Sequence, residues 1–208
     1  MMRGYTKYFT RALAHNYPHN NRHLITETGR HFASIAMDIS FAANSKNPID
    51  KRLEFYGYFL ALIIALDEAG EEFAQIRHVC LEVVLDYVRP KNKVQAFLKR
   101  LPAKLINTWF AKAALRHFQK RVEHNANPAG FVAKIITDKA ETYGFGYGID
   151  ILECGICKLF AKHSYSKYAA ILCEVDEITS SLAGLKLIRS GTIANGAKKC
   201  DFRFRKEI

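Results

Sequence analysis

Residues 185–205 read LKLIRSGTIANGAKKCDFRFR. Asn195-Gly196 predicts a two-residue β-hairpin, because a type I′ turn needs positive φ at both central positions. The strand leaving the turn alternates, with Cys200, Phe202 and Phe204 on one face and Asp201, Arg203 and Arg205 on the other. With the turn at 195–196, Arg189 faces Phe202 and Gly191 faces Cys200. Gly191 then leaves space beside the thiol. Arg189 intrudes on an apolar face, where a guanidinium needs an anion. Asp176 is one candidate anion. A substrate carboxylate, which fits the arginine fork, is the other. The two readings stand level.

Working back from the hairpin, KYAAILCEVDEITSSL (167–182) is amphipathic and helical, while FVAKIITD (131–138) and YGFGYGIDILEC (143–154) read as strands. Glycines 144, 146 and 148 are too loosely spaced for a phosphate loop and suit the approach to a strand. NANPAG (125–130) is the clearest linker. The N-terminal two-thirds reads as helix: 23–42, a segment that starts with Asn47 as a cap before Pro48 and runs through Gly70, and 71–90 running to the Pro90 stop. The stretch 92–124 adds one helix or a pair bent or broken at Pro102. The expected fold is α+β, a helical part (1–128) packed on a small, mainly antiparallel sheet (129–208) with one helix between its strand pairs. The two parts are expected to form one integrated domain.

A chain of 208 residues can bury a core without staples. The start has no apolar signal-peptide core, and the most apolar run, 55–66, is too short to span a bilayer. Together with an odd count of five cysteines, this points to a reducing cytoplasm and free thiols. The net charge of +11 is uneven: residues 89–121 carry ten Lys/Arg and no Asp or Glu. Nucleic acid, an anionic membrane or an acidic partner would each suit such a block. No nucleic-acid-binding fingerprint accompanies it, so nucleic acid is disfavoured and a solvated basic helix face is the plainer reading.

Four cysteines fall in the last third: Cys154, Cys157, Cys173 and Cys200. Cys154-x-x-Cys157 lacks the second pair of a tetrathiolate zinc site and the βαβ context of a redox motif, so no metal is expected. Cys80, on an apolar helix, reads as a small buried hydrophobe. Cys173 shares a helix face with Asp176 and Glu177 at i,i+3 and i,i+4, an arrangement that suits proton transfer or a cationic substrate group.

These residues, taken in order, carry a resemblance. Cys154, then Cys173 and Asp176, then Arg189, Thr192, Gly196, Cys200, Asp201 and Phe202 match the pattern of the L-2-amino-thiazoline-4-carboxylate hydrolase family. The match is good over roughly residues 145 to 204. Gly155 stands where that family often has proline, and the basic stretch 89–121 has no place in the pattern. The resemblance implies a hydrolase acting on non-peptide C–N or C–S bonds, opening a small cyclic amidine or amide that carries a carboxylate, as in conversion of 2-aminothiazoline-4-carboxylate to N-carbamoyl-L-cysteine. The expected catalytic residues are Cys200, Cys173, Asp176 and Cys154, with Arg189, Thr192 and Asp201 binding substrate and no cofactor. Cys200 ranks first as nucleophile, because Arg189 shares its face and Asp176 and Glu177 should raise the pKa of Cys173. A direct-water route would instead use Asp176 or Asp201. The rival class is a non-catalytic ligand- or metal-binding module similar to the 4-vinyl-reductase type. The expected partner is a small-molecule substrate, and a homo-oligomer is left open.

Overall fold

The structure, a computed structural model, describes residues 4–105, 108–144 and 147–206. Helices α1 (Thr6–Asn16), α2 (Asn21–Asp38) and the short α3 (Phe41–Asn44) lead to α4 (Leu53–Glu68) and α5 (Phe73–Val88). Then come α6 (Lys93–Leu105) and α7 (Trp109–Glu123). The C-terminal part runs β1 (Val132–Ile136), β2 (Gly148–Glu153), α8 (Gly155–Lys162), α9 (Ala169–Leu182), β3 (Leu185–Ile188) and β4 (Cys200–Lys206). The strands form one antiparallel sheet in the order β1-β2-β4-β3. The α+β architecture is the expected one. The expected helix between the strand pairs is α9, and the eight-residue α8 precedes it.

α4 is the spine. Residues 59–66 are buried all round, as an apolar run too short for a bilayer should be inside a globule. Among the described residues no helix is long and apolar enough to cross a membrane. α2 lies close along α4, where a Cβ on Gly57 would meet Ile39 Cδ1 at 2.7 Å. α7 covers the edge strand β1, and Glu123 Oε1 accepts the Ile135 N–H at 2.9 Å. Helical and sheet parts are also joined through two buried polar side chains before α4. Asp50 accepts from Ser45 Oγ and from the Phe131 N–H, at 2.6 and 2.9 Å. Asn47 donates to the Phe131 carbonyl at 3.1 Å while its side-chain oxygen accepts the Ile49 N–H at 3.1 Å, a local turn contact, since α4 begins only at Leu53.

Three local expectations change. The chain stays helical through position 102 to Leu105, so proline does not break it there. Asn195-Gly196 is not a type I′ turn. Asn195 ends a 3₁₀ turn (Ile193–Asn195), and only Gly196 has positive φ, at +86°. Local capping wins: Thr192 Oγ1 and its carbonyl both take the Asn195 N–H, and the same carbonyl takes that of Ala197. The β3–β4 register is nevertheless the expected one, with Ile188 opposite Arg203, but the ladder stops there. Finally, Gly191 leaves no gap beside Cys200, since a Cβ on it would meet Ala197 Cβ at 2.8 Å. Of the three glycines before β2, Gly144 has φ +73° and Gly148 opens the strand. Gly146 lies outside the described residues.

Candidate active site

β2 runs straight into α8. Cys154 is the N-cap of that helix and Gly155 its first residue. Proline suits a first helical position, and so does glycine here: a Cβ on Gly155 would lie 3.1 Å from the Gly130 backbone and 3.2 Å from Leu53 and Phe131. The N–H groups at the head of a helix lack intrahelical acceptors, so they point at whatever occupies the cap. At Cys154 the cap position carries a thiol, which lies near those groups without closing a cap hydrogen bond.

Cys154, Cys157, Cys173 and Cys200 all line one pocket, with Asp176, Arg52 and Tyr56. Ile49, Ile151, Leu172 and Phe202 supply much of its apolar wall. It holds about 540 Å³ of empty space, counting the part open to solvent. A wider cleft adjoins it, and Arg52, Asp176 and Phe202 line both. All five cysteines are free thiols.

The four pocket thiols are not equivalent. The Cys154 thiol is pulled below its ordinary range, first by a hydrogen bond from the Cys157 thiol and then by the N–H groups of Cys157 and Ile156. Burial and the charge of Asp176 oppose this. Cys157, the donor, is pushed up by the same hydrogen bond and by burial. Burial lifts Cys173 to about 11, with Asp176 adding to the rise and Thr192 and Arg189 opposing it. Burial also raises Cys200, although its sulfur accepts the Ile193 N–H at 3.2 Å. Asp176 moves the other way from an ordinary surface carboxylate. Burial lifts it to about 6, against the pull of Arg52 and Arg189.

The structure therefore brings Cys154, Cys173, Cys200 and Asp176 together and leaves Arg189, Thr192 and Asp201 outside the pocket wall. Arg189 donates to the Cys173 carbonyl and to Glu177 Oε1, both at 3.2 Å, lies 3.6 Å from Asp176 Oδ2, and sits over the Phe202 ring. One arm of its fork, Nη2, is taken up by α9, while the buried Nη1 has no hydrogen-bond partner among the described residues and only the 3.6 Å approach to Asp176. Thr192 is buried, where it caps the 3₁₀ turn and steadies Cys173 from behind. Asp201 points to the far side of β4. Its carboxylate accepts from Ser190 N, Gly191 N and Ser190 Oγ, which shape the loop and hold the acid below its usual range.

Pattern reading missed Arg52, Tyr56 and Cys157. Arg52 is exposed at the pocket edge and makes no hydrogen bond or ion pair with the described residues. No sequence signal marks it. Cys157 had one, the C-x-x-C spacing, which gains meaning only once Cys154 is seen to cap a helix. The pocket thiols form no three-ligand metal cluster among the described residues; the group that could, Glu27, His31 and Glu68, lies on α2 and α4.

A family model for L-2-amino-thiazoline-4-carboxylic acid hydrolase matches residues 51–204. The chain belongs to that family. The hydrolase match begins at Lys51, so it takes in Arg52, Tyr56 and each of the pocket thiols and leaves out α1–α3. No curated protein and no solved structure matches the chain significantly.

Proposed function

We propose that the chain hydrolyses a small cyclic amidine bearing a carboxylate, with Cys154 as nucleophile and Asp176 as proton carrier. The supporting observation is the opposed tuning of these two groups in one pocket: a thiol held low at a helix head and a carboxyl held high, near neutral pH. Asp176 as carboxylate takes the Cys154 proton while the sulfur attacks the amidine carbon. In a 2-aminothiazoline the ring C–S bond then breaks, the ring sulfur receives the proton from Asp176, and an isothiourea remains on Cys154. Water adds to that carbon, and the Cys154 sulfur leaves with its bonding pair. The product is an N-carbamoyl thiol, and the net change is addition of one water. Arg52, unpaired at the mouth, suits the substrate carboxylate, whereas Arg189 orients Asp176 from behind.

The test is turnover of 2-aminothiazoline-4-carboxylate and related carboxylated cyclic amidines by Cys154→Ser, Cys173→Ser and Cys200→Ser. Cys154→Ser should lose activity, and intact-mass analysis of the active protein should catch an isothiourea adduct on the peptide holding Cys154. Full activity in folded Cys154→Ser would replace the thiol route by direct attack of water through Asp176. The apolar, thiol-lined wall also suits a ligand-binding module. Saturable binding of these amidines without turnover would favour that reading.

A further inference from the structure

α6 leaves most of its apolar stripe exposed, with only Leu101 of that stripe half-buried. Val94, Phe97, Leu98 and Leu105 fall on one stripe at helical spacing, and each is 45 to 66 % exposed. The opposite side, carrying Ala96 and Lys99, turns inward: Lys99 Nζ donates to the Val88 carbonyl. Arg100 reaches toward Gly184 after α9. A soluble helix ordinarily does the reverse. Two residues after the undescribed pair 106–107, α7 opens with Trp109 and Phe110, stacked on each other and 68 and 66 % exposed. α7 does bury the other side of its helix, through Val122. Lys93 and Lys104 flank the α6 stripe, Lys104 lying over the Phe97 ring, and Lys112, Arg116 and Lys120 follow on α7 as exposed residues.

We propose that α6 and the first turn of α7 form a docking surface for an anionic lipid bilayer. The charge decides among occupants. No Asp or Glu occurs from 89 to 121, so a second copy of the same face would bring like charges together. A nucleic acid would satisfy the lysines and arginines but leave Val94, Leu98 and Leu105 against water. An interfacial helix that buries aliphatic and aromatic side chains among acyl chains, with basic residues at anionic headgroups, satisfies both sets. None of these residues lines the thiol pocket, so docking and turnover are separable.

Trp109 is the single tryptophan of the chain and sits in the surface itself. Full-length protein mixed with phosphatidylcholine vesicles containing phosphatidylglycerol should therefore sediment with them and shift its emission to the blue. Pure phosphatidylcholine should give little response, and added salt should weaken the effect. Phe97→Glu with Leu98→Glu should weaken binding at least about tenfold while circular dichroism stays unchanged. Lys93→Glu with Lys104→Glu should weaken it without touching the apolar stripe. Unshifted emission and no sedimentation with the anionic vesicles would overturn the proposal. So would a blue shift that grows with protein concentration in the absence of lipid, which marks self-association, or a response to a single-stranded oligonucleotide and none to vesicles.

Discussion

Cys154 and Asp176 share a pocket whose burial works against the charge of both, yet only the thiol has donors enough to overcome it. That difference can be measured. If Asp176 takes the thiol proton, kcat/KM should climb as pH rises through about 6, where the Asp176 carboxyl ionises. Asp176→Asn should flatten that limb and cost roughly a hundredfold in rate. Stability should show the same group with the opposite slope. The folded pKa lies above the ordinary value of 3.8, so the contribution is full below about pH 4 and is lost as pH rises through about 6. Wild type minus Asp176→Asn, followed as melting temperature against pH, should show a loss approaching about 3 kcal/mol over that window. Cys154→Ser should cut turnover by roughly a thousandfold or more, whereas Cys80→Ser, which does not line the pocket, should leave it nearly unchanged. At this scale the sequence revealed which residues converge but not how they rank. Cys200 ranked first because Arg189 shares its face, yet the groups that lower Cys154 are a neighbouring thiol and backbone N–H groups at the helix head, which no spacing rule displays.

Elements with long periodic faces were legible, and short or locally capped ones were not. α5 and α9 follow from apolar periodicity, and α4 from an unbroken apolar run ahead of Gly70. α8 has only eight residues and starts without a loop from β2, too little chain for a period to emerge. The β3–β4 register was readable because alternation fixes which residues face inward. The turn was not, because Thr192 and Asp201 draw the connecting backbone into their own hydrogen bonds. Arg189 belongs to this level as the tie between that connection and α9. Arg189→Lys should lower stability by about 1–3 kcal/mol, read as a shift in the urea midpoint. A substrate effect is expected instead from Arg52→Gln, which should raise KM with little change in melting temperature, because Arg52 is exposed and pairs with none of the described residues. A raised KM in Arg189→Lys at unaltered stability would return the carboxylate-binding role to Arg189.

For the molecule as a whole, the composition break near residue 128 marks a change of secondary structure, and the contacts across it are intimate. Phe131 N–H and C=O are satisfied by Asp50 and Asn47, both buried. Residues 129–208 expressed alone should therefore give the narrow, poorly dispersed proton NMR spectrum of an unfolded chain. Gly130→Ala tests the same joint in the intact protein. A Cβ there would stand 2.3 Å from Asp50 Oδ1, so the carboxylate must move and the Phe131 bond is lost, at about 2–4 kcal/mol. A well-folded isolated 129–208 would show instead that the sheet carries its own stability.

The pocket wall draws on α4, α8, α9 and β4, from Ile49 to Phe202. A small molecule seated there touches segments that part when the chain unfolds, so its binding energy becomes folding energy. At a concentration a hundred times its dissociation constant, a ligand adds about 2.7 kcal/mol to the native state. For a chain of this length that moves the thermal midpoint by several degrees. A panel of carboxylated cyclic amidines, lactams and ureas can thus be ranked by melting shift before any reaction product is identified. A compound that shifts wild type but not a variant with a bulky side chain at Cys173 is thereby placed in the cavity.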